Sequence, residues 1–390
     1  MKITMLSNYI NHHQIPFSQA LYERLGEGYR FIQTEPMDEE RLAMGWGLDA
    51  TKLPYVVFLD KDLEYARELI RESDILLVGW NRCENLLTDR LGGERLTFRI
   101  SERLYREGQW KAVSPRGLWQ KYKEHTRYRK KPVYLLCAGA YVASDFSLVR
   151  AYPEKMFRFG YFPETRSYSE EQLKQNHDWG SAPGEAKLQL VWAGRFLPLK
   201  HPEFALRLAK RLEQRGYSFH LHLIGGGQLE KELKAYVEEN ALQDRVTFYG
   251  FLSPGKVRSL MEKSHIHLFT SNHLEGWGAV VNEAMNSGCT VVASARAGAV
   301  PFLIQPGENG LVYGRDDFEE LAERVEYLFR HPKEGSRMGM QAYKTIAGEW
   351  NAATASQRLL DFYQQWRAGK IIPPQSGPFS AAKILSPVGK

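Results

Sequence analysis

Residues 192–200 read Trp192-Ala193-Gly194-Arg195-Phe196-Leu197-Pro198-Leu199-Lys200, which sets two fixed cations five residues apart around a proline-containing loop. A guanidinium offers a planar fork and an ammonium a point charge, a pair suited to a diphosphate. Further along, Ser271-Asn272-His273-Leu274-Glu275-Gly276-Trp277-Gly278-Ala279-Val280-Val281-Asn282-Glu283 places two carboxylates around the expected start of a helix near Gly278. The free N–H groups and dipole of such a start favour a phosphate beside Gly278, Ala279 and Val280. Glu275 then sits at the mouth of the helix and Glu283 about one and a half turns into it, so both reach one elongated ligand at different points. Carboxylates beside a diphosphate raise the Coulomb energy unless something offsets them. Here Arg195 and Lys200 balance the phosphates, while the carboxylates accept from vicinal sugar hydroxyls. That combination describes a nucleotide sugar. Two further stretches fit the same ligand: Gly225-Gly226-Gly227, where a ligand can approach the backbone at Gly227, and Tyr249-Gly250-Phe251-Leu252, whose backbone near Phe251 could meet a flat base.

These stretches matter because each directly follows an apolar run. Taken singly, Arg195 and Lys200 would pass for surface charges, the two Glu for an accident of spacing and the three Gly for a turn. Short apolar runs alternate with amphipathic stretches throughout, the pattern of doubly wound parallel sheets, in which ligands bind outside the carboxyl ends of the strands. Strands are expected at 2–6, 29–32, 56–59, 75–78, 96–100 and 133–137, and again at 188–192, 219–224, 245–248, 266–269 and 290–293. The expected fold class is therefore α/β, two Rossmann-like domains with a sheet each. Residues 1–165 form the N-terminal domain, and the polar stretch 166–187, without apolar period, reads as a linker. Residues 188–345 form the C-terminal domain. A helical segment follows at 346–370, and a Pro- and Gly-bearing tail at 371–390 reads as loosely ordered.

The spacing of Arg195 and Lys200, the run Glu275-Gly276-Trp277-Gly278, the two Glu separated by seven residues, and Gly288 with Gly298 resemble the retaining glycosyltransferases of family 4, which have the GT-B fold. The resemblance covers about residues 188–330. It implies two domains facing each other across a cleft, the first binding the acceptor and the second the nucleotide-diphosphate sugar, with the segment 346–370 crossing back to the first. It also implies that Arg195 and Lys200 bind the diphosphate, that Glu275 touches the donor sugar and that Glu283 holds the ribose. Trp277 stands where the family usually has Phe. Members commonly build bacterial polysaccharides or glycolipids.

The N-terminal half departs from the family pattern. A Gly-rich turn is usual after the first strand, whereas this chain has Asn8-Tyr9-Ile10-Asn11-His12-His13-Gln14. Where many members carry a His facing the sugar, the matching stretch reads Ile100-Ser101-Glu102-Arg103. Either Glu102 takes that place or His12 or His13 fills the role, so the acceptor side is assigned to Asn11, His12, His13 and Glu102, with His13 joining Glu275, Arg195 and Lys200 in the catalytic set. Exposed loop imidazoles are the plainer interpretation of the His pair.

Other chemistries fit less well. Asp60-Lys61-Asp62 follows a strand and could hold a divalent ion on a diphosphate, the mark of a metal-dependent glycosyltransferase. The simpler account is that Asp60 caps a helix from Leu63 to Arg71, since the cation pair already neutralises the diphosphate. No metal and no cofactor beyond the donor are therefore expected, and His265, His267 and His273 are not read as ligands. A nicotinamide-dependent dehydrogenase would need Gly-x-Gly-x-x-Gly after a first strand, and neither half supplies it. A non-catalytic carbohydrate- or polyanion-binding protein is the alternative from another class.

At 390 residues two ordinary domains are the prior, and 43% hydrophobic with 25% charged residues is a globular composition. No apolar run reaches spanning length and the N-terminus lacks a signal-peptide pattern, so a cytoplasmic place is expected. Cys83, Cys137 and Cys289, far apart and odd in number, read as reduced and mostly buried. The net charge is +6, and between Arg103 and Lys131 ten Lys or Arg face two Glu, interleaved with Tyr105, Trp110, Trp119, Tyr122 and Tyr128. That segment is either a solvated face or a surface for anionic lipid or another polyanion, which would hold the protein at the inner face of a membrane. Nothing in it forms a nucleic-acid module.

Overall fold

In a computed structural model the chain is described over residues 1–39, 47–180, 182–184, 186–314 and 317–386. It divides into two compact units, one joining Met1–Glu164 with Asn351–Pro387 and the other spanning Thr165–Trp350.

The first unit holds β1 (Ile3–Ser7), β2 (Tyr29–Gln33), β3 (Val56–Phe58), β4 (Ile75–Val78), β5 (Leu96–Ser101), β6 (Val133–Ala138) and β7 (Met156–Phe159) in the order β3-β2-β1-β4-β5-β6-β7. All pair in parallel, with Ile3 opposite Tyr29 on one side and Ile75 on the other. Runs such as Ile75-Leu76-Leu77-Val78 are apolar throughout because helices cover both faces of a parallel sheet. The second unit holds β8 (Leu188–Ala193), β9 (Phe219–Ile224), β10 (Val246–Phe248), β11 (Ile266–Phe269), β12 (Thr290–Ser294) and β13 (Leu311–Tyr313), ordered β10-β9-β8-β11-β12-β13 and again parallel. Each sheet reverses its winding once, between β1 and β4 and between β8 and β11. A ligand crevice is expected outside the carboxyl ends of those strand pairs.

Three sequence expectations need correction. The segment 166–187 is not a bare linker: Ser169 and Gln172 close a capping box on the helix Glu170–Asn176, and Trp179 is buried in the core of the second unit. Polar composition hid a short helix whose only buried side chain is Leu173. The tail is packed as far as Ala382. Arg158 N–H donates to Ser380 O, Phe379 N–H to Arg158 O and Ala382 N–H to Met156 O, so the segment lies along the free edge of β7 with Phe379 buried. Pro and Gly weaken regular structure without preventing an extended segment from docking on an edge. Positions 181 and 185 of the expected linker and 387–390 of the expected tail lie outside the described residues. Third, Asp62 rather than Asp60 caps the helix Leu63–Glu72, accepting from Tyr65 N–H at 3.0 Å.

Cys137 and Cys289 are buried, Cys83 is half-buried, and all three are free. Among the described residues no helix is long and apolar enough to cross a membrane.

Candidate functional site

In the second unit, four loops at the carboxyl ends of adjacent strands are laced to one another. After β8, Gly194 N–H donates to Ile224 O (3.0 Å) and Phe196 N–H to Gly226 O (2.8 Å), while Gly225 N–H donates to Gly250 O (2.8 Å) in the loop after β10. A Cβ on Gly225 would overlap the carbonyl oxygen of Gly194, and one on Gly227 would lie 2.8 Å from Phe196 O. The glycines therefore admit neighbouring backbone before they admit any ligand. The Phe251 ring lies against Gly226 and is about half exposed, a flat apolar face at the rim.

The loop after β11 is tied to the loop after β8 from the other side. Asn272 N–H donates to Leu199 O at 2.9 Å. Thr270 Oγ1 donates to Lys200 O at 2.6 Å and accepts from Trp192 Nε1 at 2.8 Å. This holds the short turn Pro198–Lys200, ending in left-handed His201, so that Lys200 Nζ meets a Glu275 carboxylate oxygen. Two residues separated by 75 positions thus form one ion pair, both largely shielded from solvent.

Gly278 enters the next helix at φ 96°, and a Cβ there would lie 2.5 Å from the Phe269 ring. The helix Ala279–Asn286 starts at this glycine and directs its first N–H groups outward. Ala279, Val280 and Glu283 share its part-exposed side by i, i+3 and i, i+4 spacing, whereas Val281, Asn282, Ala284 and Met285 are buried. Trp277 is buried and donates its Nε1 to Asn282 Oδ1 at 2.9 Å, pinning the turn before the helix to the helix itself. Arg195, Lys200, Gly227, Phe251, Glu275, Gly278, Ala279, Val280 and Glu283 accordingly all sit on these loops or on this helix.

The residues expected on the acceptor side lie in the first unit, where loops after β1, β5 and β7 meet. Asn11 accepts from His13 N–H through its side chain at 3.0 Å, turning the chain into the helix Ile15–Leu25. The His12 and His13 rings are 3.9 Å apart between centroids, and His13 stacks at 6.2 Å on Tyr161. Tyr161 in turn donates its hydroxyl to Glu102 Oε1 at 2.8 Å, and Glu102 also pairs with Arg106. His13 and Glu102, weighed from sequence as alternatives for one role, are therefore two ends of one cluster. Tyr161 and Arg106 escaped sequence reading. Tyr161 follows β7, a strand whose Arg-bearing run gave no signal.

The three histidines set aside as metal ligands are held apart. His265 is bonded to Gln189 N and Asp178 O, and His267 is buried within the sheet. No group of three or more His, Cys, Asp or Glu side chains among the described residues is placed to hold a metal ion.

Residues 174–345 match the family Glycosyl transferases group 1. Similar curated proteins include alpha-D-kanosaminyltransferase of Streptomyces kanamyceticus, 27% identical over 45% of this chain and 45% of that protein. The amylovoran biosynthesis glycosyltransferase AmsK of Erwinia amylovora is 25% identical over 46% and 45%. The chain spans about half the length of the curated relatives it matches. Among solved structures, Anabaena Alr3699/HepE in complex with UDP superposes with a TM-score of 0.66 at 15% identity, over 94% of this chain and 100% of that one. The lipopolysaccharide outer core galactosyltransferase WaaB superposes at 0.63 and 16%, over 94% and 100%. Residues 174–345, which lie within the second unit, thus match the glycosyltransferase group 1 family, and the two Rossmann-like units share the GT-B fold of these solved structures.

Proposed function

We propose that the chain is a retaining hexosyltransferase of family 4 that moves a sugar from a nucleoside-diphosphate donor to a hydroxyl of a saccharide or lipid-linked acceptor, without a metal ion. The observation that carries this reading is the Lys200–Glu275 pair at the mouth of the helix Ala279–Asn286. A donor would exchange that pair for two better-matched contacts: the ammonium to a phosphate oxygen, the carboxylate to sugar hydroxyls. Arg195 and the N–H groups at Ala279 and Val280 take the remaining phosphate charge, and Glu283 takes the ribose. The Phe251 ring and the backbone beside it meet the base. Solved relatives bound to UDP, and to UDP with glucose, support a nucleotide donor.

In the reaction, the bond from the anomeric carbon to the diphosphate oxygen breaks and the acceptor oxygen bonds the same face. The acceptor proton passes to the departing diphosphate. Arg195, Lys200 and the helix start stabilise the charge that develops there, the main catalytic contribution of a preorganised site. His13, with the Tyr161–Glu102 cluster behind it, orients the acceptor. The relatives' names support a bacterial polysaccharide or glycolipid product.

The test begins with thermal-shift screening against UDP, GDP and ADP, since a tight ligand raises the melting temperature with its occupancy. Release of nucleoside diphosphate from the corresponding sugars is then followed, and the anomeric configuration of the product read by NMR. Binding without release from any donor and acceptor pair would make the chain a binding protein. Inverted product would remove the retaining assignment. Activity lost to chelator and restored by manganese would move the reading to a metal-dependent enzyme using Asp60 and Asp62.

A further inference from the structure

Every α-helix among the described residues buries at least one side chain except Pro115–Glu124. Leu118, Trp119 and Tyr122 share one side of that helix by i, i+3 and i, i+4 spacing, and all three are exposed. The preceding turn Gln109–Val113 adds Trp110 and Val113, 63% and 78% exposed. Five large apolar side chains thus face solvent within thirteen residues, where an ordinary solvated face would carry polar ones. Among them stand the exposed cations Lys111, Arg116 and Lys123. The Lys123 ammonium lies 3.7 Å over the Trp119 ring and that of Lys111 5.5 Å over Trp110.

The segment is held firmly at both ends. Arg103 and Tyr105 N–H bond the buried Asp145, and Gln109 Nε2 donates to Ser144 Oγ and Asp145 Oδ1, both at 2.9 Å. Downstream, His125 Nδ1 meets the Tyr152 hydroxyl at 2.8 Å and Thr126 Oγ1 donates to Val149 O at 3.0 Å. Tyr105 and Tyr128 are buried in the core, so the basic segment read from sequence separates into anchors and a projecting part.

We propose that the turn Gln109–Val113 and the helix Pro115–Glu124 dock on an anionic lipid bilayer, with the five apolar side chains entering the headgroup layer and the three cations meeting lipid phosphates. Charge selects the occupant: a second copy of the chain would set like charges together, and a soluble polyanion would leave Val113 and Leu118 without a partner. Trp and Tyr suit the boundary between water and hydrocarbon, and lysine stems extend through it to the phosphates. The inference stands apart from the donor-site reading.

The experiment is co-sedimentation of the full chain with vesicles of phosphatidylcholine alone and of phosphatidylcholine mixed with phosphatidylglycerol, across a salt series. The unaltered chain should prefer the mixed vesicles, and salt should weaken that preference. Lys111→Gln with Arg116→Gln and Lys123→Gln should cut binding to mixed vesicles about a hundredfold at low salt. Trp110→Ser with Val113→Ser and Trp119→Ser should abolish it at every salt concentration, while thermal stability and nucleoside-diphosphate binding stay unchanged. Brominated phosphatidylcholine should quench tryptophan fluorescence of the unaltered chain, a readout that needs no variant. Equal binding to both vesicle types, an apolar variant that binds like the unaltered chain, or no quenching would overturn the proposal.

Discussion

Lys200 and Glu275 are both shielded from solvent, so removing either leaves the other charge uncompensated in a site of low dielectric. Lys200→Ala should lower turnover by about two to three powers of ten, the size expected for loss of one preorganised donor to a developing charge. Near-normal turnover in that variant would show that the leaving group departs elsewhere. His267 poses the opposite problem: it lies wholly buried on β11, between Val191 of β8 and Val291 of β12, and neither ring nitrogen has a hydrogen-bond partner among the described residues. Burial pushes its pKa down to about 3, from 6.5 when unfolded. Below pH 6.5 the unfolded chain takes up a proton that the folded chain refuses. Stability from this residue is thus complete above 6.5 and drains away as pH falls towards 3, about 2 kcal/mol of it by pH 5. His177 and His222, each lowered to about 4 by burial, act in the same direction. Urea titrations at pH 7 and pH 5 should show a smaller acid loss for His267→Leu than for the unaltered chain, by about that amount. An identical loss would mean that the ring protonates without unfolding.

Gly216, just before β9, and Gly225, just after it, separate two costs that usually travel together. Gly216 sits at φ 73° with nothing near its missing side chain, so Gly216→Ala should cost only about 1 kcal/mol, the strain of a left-handed residue. Gly225 adds to its φ of 127° a side-chain position occupied by Gly194 O, and Gly225→Ala should cost about 3 kcal/mol or more and loosen the loop that carries Arg195. Equal melting temperatures for the two variants would show that the loops move apart freely. Sequence periodicity reached the strands well, since an apolar run followed by Gly or a polar turn is a local signal; every expected strand is present. It missed β7 and β13. Met156-Phe157-Arg158-Phe159 carries a mid-strand Arg and Leu311-Val312-Tyr313 is only three residues long, so a neighbouring strand rather than local pattern makes each of them a strand. The site divides the same way. Arg195, Lys200, Glu275 and Gly278 were legible because each follows a strand, but the bonds that place them, such as Trp192 to Thr270 across 78 positions, pair residues that no local pattern connects. Nor could sequence show that Gly225 and Gly227 admit neighbouring backbone, because backbone approaching from another loop leaves no trace in composition.

The chain leaves its first unit at Glu164 and returns to it at Asn351, so the first hydrophobic core is completed by residues that follow the whole second unit. Phe362, on the helix Ala352–Arg367, packs edge-on against Phe98 at 5.0 Å, Phe157 at 5.1 Å and Tyr134 at 5.2 Å. Phe379 adds contacts to Phe98 and Phe159, both at 5.8 Å. The second unit has its own sheet and core, with Trp350 packed on Trp277 and Phe302 just before the chain leaves. Ending the chain after Trp350 should therefore damage the units unequally. Among the buried side chains the first loses are Phe362 and Phe379, each worth about 3–5 kcal/mol by analogy with large-to-small core substitutions, against a typical domain stability of about 5–15 kcal/mol. The second loses none of its described contacts within its own core. Calorimetry of the shortened chain should show one transition near its original temperature and another lowered or absent, and the stabilising nucleoside diphosphate should still raise the surviving one. Transfer to any acceptor should vanish, because the cluster of His13, Tyr161 and Glu102 belongs to the unit that melts. If both transitions disappeared together, the second unit would depend on the first for its folding; if both survived, the aromatic packing of Phe362 and Phe379 would contribute little to holding the first sheet.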